Sequence, residues 1–223
     1  MNLSQPLIGL GGRLRSGKDA FADRLVDKHG YVKLGMSDAL HEAMLAIDPI
    51  VEAYGNVYDT EVEFARYSEL IAEVGYVEAK KIPEVRRLLQ QLGTEVGRNM
   101  IGENVWVQIM ARKIDDHRAA GHPVVVTGIR FPNEVRMIAQ LGGQALWIER
   151  PGVHAPTAGT AAHASENSVS ADDFHSTLLN DGTLAELEAK ADVIAGHRSG
   201  ERKVPFDVAF EDDGDPEELR HSM

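Results

Sequence analysis

The chain contains no cysteine, which excludes disulfides and thiolate metal sites and fits a reducing compartment. It has no apolar run near the roughly 18 residues of a membrane-spanning helix, so no membrane partner is expected. Its opening residues, Met1-Asn2-Leu3-Ser4-Gln5, lack the basic start and apolar core of a signal peptide. These absences together predict a cytoplasmic protein. Positive charge is also scarce: 23 Lys and Arg against 35 Asp and Glu leave a formal net charge of −12. Neutralising a DNA or RNA backbone needs concentrated cations. No nucleic acid polymer is therefore expected as a partner, and any phosphate ligand should be small and locally held.

With 223 residues the chain has the length of one domain with a sizeable core. Its most informative stretch is Gly12-Arg13-Leu14-Arg15-Ser16-Gly17-Lys18-Asp19, after the apolar run Leu7-Ile8-Gly9-Leu10. Two glycines four residues apart, followed by lysine, form the spacing of a phosphate-binding P-loop, and the setting between a buried strand and a helix is what that motif requires. Gly12 and Gly17 can take backbone angles closed to other residues, so successive N–H groups turn toward a phosphate while the new helix points its positive end at the same anion. Lys18 adds a cation for the outer phosphates. Arg13 and Arg15 make the loop locally positive, either for a ligand or as solvated charges. Asp19 stands where Ser or Thr usually offers a hydroxyl to Mg²⁺; it reads either as a hard oxygen ligand for that metal or as a carboxylate suited to a helix start.

The rest of the chain alternates strand and helix. The first helix ends at His29-Gly30, Tyr31 to Leu34 reads as a strand, and Ser37 or Asp38 caps a helix stopping near Pro49. At this strand-to-helix turn Asp38 is a candidate substrate contact as well as a cap. From Glu61 to about Ile114 the pattern is helical without strand alternation, with Pro83 suited to a first helical turn. Val124 to Thr127 is a β-branched run expected of a parallel strand covered on both faces. It delivers Arg130 to the carboxyl edge of the sheet, where open parallel sheets bind ligands. Pro132 opens a helix ending at Gly142-Gly143. Ala145 to Ile148 is the next strand, carrying Glu149 and Arg150 to the same edge. Residues 151 to 173, rich in small residues and containing His154, His163 and Glu166, read as a long loop that is either disordered or a lid. Ser176 to Leu179 and Thr183 to Ile194 complete the pattern as strand and helix around the turn Asn180-Asp181-Gly182. From Glu201 onward eight acidic and three basic residues make residues 197–223 read as an acidic tail.

In order along residues 7 to 195, Gly12 to Asp19, Leu88-Leu89-Gln90-Gln91-Leu92-Gly93-Thr94-Glu95-Val96-Gly97-Arg98, the Trp106 helix, Arg130-Phe131-Pro132-Asn133-Glu134, Glu149-Arg150-Pro151-Gly152, His163-Ala164-Ser165-Glu166 and Asn180 to Leu184 resemble the phage-type deoxynucleoside monophosphate kinases, a branch of the P-loop nucleotide kinases. The resemblance implies a three-layer α/β fold with a central parallel sheet, a helical monophosphate-binding region at about 56–120 and a lid at about 150–173, all within a domain of residues 1–196. It implies transfer of the γ-phosphoryl group of ATP, with Mg²⁺, to a deoxynucleoside monophosphate in a host cytoplasm. Carried onto this sequence, the backbone from Gly12 through Arg13, Arg15, Ser16 and Gly17, with Lys18, holds ATP, and Asp19 serves the metal. Arg98 and Arg130 hold the acceptor phosphate, with Asp38, Gln91, Trp106 and Glu134 as further substrate contacts. Arg150 lies at the lid base, reaching the donor phosphates or the adenine. A homodimer is left open.

This sequence departs from the family pattern twice. Gly128 precedes Ile129-Arg130-Phe131 where an aspartate is usual, so more of the metal role is expected of Asp19 and water. His41 stands where a lysine is usual, making one basic contact pH-dependent or absent. The chemistry suits the residues all the same: with its second pKa near ~6 a phosphate monoester is largely ionised at neutral pH and needs no general base. Spread cationic stabilisation, which guanidinium forks supply well, suffices. The rival readings are a P-loop kinase of another small phosphorylated metabolite, such as phosphomevalonate, and a nucleotide-binding module without catalysis.

Overall fold

The computed structural model describes residues 5–54, 63–153 and 168–196. Five short segments pair as β1 (Leu7–Gly11), β2 (Val32–Gly35), β5 (Val124–Thr127), β6 (Gln144–Glu149) and β7 (Ser176–Leu179), the inner ones apolar and the edge strands β2 and β7 more exposed. They form one sheet in the order β2-β5-β1-β6-β7, and every pairing within it is parallel. Burial explains their composition: β1 is buried throughout and Val124, Val125 and Val126 are each fully covered, so both faces favour apolar residues.

Helices cover the two faces. On one side α1 (Lys18–His29) and α7 (Leu184–Gly196) place Phe21, Leu25, Leu187 and Ala191 against Ile8, Leu10, Val125 and Ile148. On the other, α5 (Val105–Ala119) and α6 (Pro132–Gln140) pack Met110, Ile114, Val135 and Ile138 against Leu7, Val124, Val126 and Ala145. This is the expected three-layer α/β arrangement. Because the strands run parallel, the loops after β1, β2, β5, β6 and β7 all open at one edge.

A further block rises beside that edge. The helices α2 (Asp38–Ile47), α3 (Tyr67–Ala79) and α4 (Pro83–Gln90) enclose their own small core of Met44, Val51, Tyr67, Leu70, Ala79 and Val85. The expectation of helices alone from Glu61 onward is corrected here: β4 (Glu63–Arg66) pairs antiparallel with β3 (Ile50–Tyr54). Phe64, expected on a helix, lies on that strand and is exposed. Helix α3 breaks at Gly75, where φ is 77° and ψ 162°, and α4 continues into a wide π-type helical segment over Gln91–Ile101.

Most of the proposed lid, with His154, His163 and Glu166, and the acidic tail from residue 197 lie outside the described residues. The described end of the lid region, residues 168–173, includes one turn of 3₁₀ helix at Ala171–Asp173. Among the described residues no helix is long and apolar enough to cross a membrane.

Candidate active site

The loop between β1 and α1 has the backbone its sequence demands. Gly12 and Gly17 adopt φ of 138° and 102°, and Arg15 between them is left-handed as well, at 65°. Side chains are excluded at both glycines: a Cβ on Gly12 would come 2.4 Å from the Ile148 carbonyl oxygen, and one on Gly17 2.6 Å from Asn180 Nδ2. Ser16 is buried, and its carbonyl accepts a hydrogen bond of 2.9 Å from Asn180 Nδ2. The Asn180 backbone N–H in turn donates to the Glu149 carbonyl at 2.7 Å. The loop is thus fastened to the ends of β6 and β7. Asn180 reads in sequence only as the first residue of an Asn-Asp-Gly turn, and nothing local distinguishes a buried tether from a turn former.

Lys18 curls over the mouth of the loop, its ammonium donating to the Arg13 carbonyl at 2.6 Å. Burial lowers its pKa; Asp19 opposes that shift and the charge of Arg130 adds to it. A half-buried ammonium resting on a carbonyl is readily turned toward an incoming anion, which supplies the countercharge it lacks. Arg13 and Arg15 are exposed at the rim. Asp19 is also exposed, 3.6 Å from Lys33 Nζ. Among the described residues no three carboxylates or imidazoles gather into a metal cage. One exposed carboxylate beside a phosphate cradle still fits Mg²⁺, which retains much of its water and takes its remaining oxygens from the nucleotide.

Opposite the loop, Arg98, Arg130 and Glu134 come together. Pro132 starts α6, and Glu134 closes its first turn by accepting the Arg130 and Phe131 amides at 2.6 and 3.1 Å. Burial pushes the Glu134 carboxyl up, while those two bonds and the charges of Arg98 and Arg130 pull it down. Glu134 therefore shapes the turn that presents Arg130. The Arg98 guanidinium lies 3.9 Å over the Phe131 ring and reaches Glu103 at 3.2 Å. Arg130 is exposed at the sheet edge.

The remaining predicted residues serve more local ends. Asp38 begins α2, and its carboxylate accepts the Gly35 amide at 2.7 Å; Ser37 holds the cap position without a side-chain bond. Gln91 accepts from Arg87 at 2.7 Å on an exposed surface. Trp106 donates to the Gly93 carbonyl at 2.8 Å and lies so close to Gly97 that a Cβ there would meet Nε1 at 2.4 Å. It thereby fixes the π-type segment that carries Arg98. Arg150 is exposed at the end of β6.

Both family departures have structural settings. Gly128 has φ of 77°, a left-handed conformation that strains most side chains, although a Cβ there would meet nothing nearer than Met36 N at 3.9 Å. His41 is engaged: Nδ1 lies 2.8 Å from the Tyr67 hydroxyl, and burial lowers its pKa from the usual 6.5. It supplies no standing charge at neutral pH.

Comparison with known proteins places these features in a family context. A family model described as deoxynucleotide monophosphate kinase matches residues 38–191. The chain is 28% identical over 192 residues to the uncharacterized protein ORF76 of Ictalurid herpesvirus 1, covering 83% of this chain but only 65% of that one, so it spans less than two thirds of that relative. It is 26% identical over 203 residues to the putative deoxynucleotide monophosphate kinase of Acanthamoeba polyphaga mimivirus, covering 81% and 91%. It is 30% identical over 111 residues to the deoxynucleotide monophosphate kinase of Escherichia phage RB69, covering 49% and 44%.

Proposed function

This chain belongs to the deoxynucleotide monophosphate kinase family, and on that premise we propose that it transfers the γ-phosphoryl group of ATP to a deoxynucleoside monophosphate, releasing ADP and the diphosphate. The observation that carries the reading is Lys18 poised on the Arg13 carbonyl at the mouth of a tethered P-loop, at the same sheet edge as Arg130. The phosphate loop lies before the matched residues 38–191, so its geometry supports the activity independently of the family match.

In this mechanism the loop amides and the α1 N-terminus cradle the donor phosphates, and Lys18 leaves the Arg13 carbonyl for the outer ones. Arg13 and Arg15 line the rim, and Arg150 meets the donor from the end of β6. Arg130 and Arg98 hold the acceptor phosphate in line, the first set by Glu134 and the second by Trp106 through the π-type segment. Asp38, which together with Arg130 acts on Tyr76 and Lys80, borders the acceptor site. Asp19 is the protein oxygen available to Mg²⁺, which supplies charge neutralisation on the phosphates when bound. No side chain takes a proton, because the acceptor phosphate is already ionised at neutral pH. Positioning and cationic stabilisation of a loose transition state carry the rate.

The test is ADP release from Mg-ATP with each of dAMP, dGMP, dCMP and dTMP, their ribose counterparts and a no-acceptor control. ADP formed only with certain deoxynucleotides, together with the matching diphosphate, is the expected result. ATP binding with no turnover on any nucleotide favours a kinase of another phosphorylated metabolite or a binding module.

A further inference from the structure

Among the cations of the helical block that the mechanism does not use, Lys80 has the most distinctive setting. Lys80 follows the last turn of α3, after the break at Gly75. Its neighbour Lys81 is bonded to both carboxylate oxygens of Glu78 at 2.7 Å. Lys80, half-buried, makes no ion pair among the described residues. Its ammonium sits instead 3.9 Å from the centroid of the Tyr76 ring.

That ring is part of a fixed stack. His41 of α2 lies against Tyr76 with centroids 4.1 Å apart and planes 30° apart, while the Tyr76 hydroxyl lies 3.5 Å from the Ser37 carbonyl oxygen. Ser37 follows the end of β2, where Gly35 is in register with Thr127 of β5 and the Met36 amide donates to the Thr127 carbonyl at 3.0 Å. Two residues beyond Gly128, that same connection presents Arg130. Lys80 is therefore anchored from the helical block onto the carboxyl edge of the sheet.

The charges facing Lys80 come from three other elements: Arg130 after β5, Asp38 on α2 and Asp19 on α1. Arg130 and Asp19 also act on Lys18, so the two lysines share the same charged neighbours at this edge of the sheet. Burial, with Arg130 adding to it, weakens the charged form of Lys80, and neither aspartate contacts it. A partly desolvated ammonium beside a guanidinium, with no carboxylate in contact, is satisfied by an anion carrying more than one charge.

We propose that Lys80 is a phosphate-binding residue of the acceptor site, reaching from the helical block to hold the dianionic phosphate of the mononucleotide against Arg130. This assignment rests on the kinase reading for the name of its ligand. Tyr76 and His41 act as positioning residues: both faces of the tyrosine are occupied, so it serves as a perch for the ammonium and offers no free face to a nucleobase.

The experiment compares Lys80→Met, Lys80→Arg and Lys81→Met with the unmodified chain. Calorimetric binding of the four deoxynucleoside monophosphates, the corresponding deoxynucleosides and Mg-ATP is read beside steady-state kinetics. Losing a charge-assisted contact should weaken monophosphate binding and raise the acceptor KM about 10- to 100-fold in Lys80→Met. Lys80→Arg should restore most of it, and Mg-ATP and deoxynucleoside binding and the Lys81→Met variant should be unchanged. Equal monophosphate affinity in Lys80→Met and the unmodified chain overturns the assignment, as does an equal loss for deoxynucleosides or a lower Tm with unchanged binding. Monophosphate binding that depends on Lys80 without ADP formation overturns the kinase reading and leaves the site standing. Binding of no monophosphate by the unmodified chain overturns both.

Discussion

The phosphate loop and the helical block meet at one edge of the sheet but are held there by different means. The loop grows directly out of β1, the central strand, and is stitched to the ends of β6 and β7 through the Ser16 carbonyl, Asn180 and the Glu149 carbonyl. The block has a separate small core, a break at Gly75 and a π-type segment pinned by Trp106. It also carries many of the exposed apolar side chains: Ile47, Phe64, Val77, Met100 and Ile101 are each more than half exposed. The difference suits a two-substrate reaction. In the proposed reaction polyphosphate would be bound by backbone amides that must be fixed in advance, whereas the acceptor phosphate would be held by long side chains, Arg130 from the sheet edge and Arg98 from the segment joined to the block.

The largest expected effect tests the fixed side. Lys18→Ala should lower kcat by about 10²- to 10³-fold, the scale for losing one preorganised group at developing charge. Unchanged thermal unfolding would show that the fold persists, and unchanged turnover would sink the role of the loop. Asn180→Ala comes next. It removes the buried amide that satisfies the Ser16 carbonyl, at a cost of about 1–3 kcal/mol. A lower denaturant midpoint with a raised ATP KM and an unaltered acceptor KM is expected. A rise in the acceptor KM alone would break the contrast, because the tether would then serve the wrong substrate.

The block should answer in the opposite sense. Trp106→Phe keeps an aromatic ring but loses the indole N–H bond to the Gly93 carbonyl, about 0.5–1.5 kcal/mol for a neutral pair, together with the part of the indole packed against Gly97. Because Trp106 holds the segment bearing Arg98, the acceptor KM should rise several-fold while the ATP KM stays put. Equal changes in both constants would mean that the block and the loop behave as one unit.

The same contrast explains what was legible in the sequence. Gly12, Gly17 and Lys18 declare the loop because its function is a backbone conformation, and backbone conformation depends on residue type at fixed local spacing. Val124 to Thr127 and Ala145 to Ile148 declare buried parallel strands because coverage on both faces leaves only apolar residues. Arg130 could be placed at the sheet edge by counting from the strand end. In the block, the cues were nonlocal. Glu63–Arg66 becomes a strand through pairing with Ile50–Tyr54, and exposed Phe64 gives it no alternation to read. Gly93 and Gly97 are spaced for close approach to Leu40 and Trp106, which only the folded chain reveals. Lys80 and Asn180 gain their meaning from partners on other elements, and no spacing rule reaches that far.

The smallest effect is expected far from the site, where α1 is locked to α7. Asp192 accepts from Arg24 Nε and Nη2 at 3.0 and 2.9 Å, from Lys28 at 2.6 Å and lies 2.8 Å from His29 Nε2. Arg24 first, then Lys28 and His29, holds its carboxyl far below the usual range. A depressed carboxylate contributes stability that is present above the unfolded pKa of about 3.9 and is lost as pH falls toward the folded value. Asp192→Asn should therefore flatten the acid side of the Tm–pH profile, with the two proteins converging at low pH. The cluster is partly exposed, so added salt should shrink the difference at neutral pH. Activity should be nearly unchanged. A large rise in the ATP KM would instead mean that the lock sets the loop through α7, whose Leu187 lies 2.9 Å from where a Cβ on Gly17 would stand. That would extend the fixed side of the molecule through the whole helical layer beneath the loop.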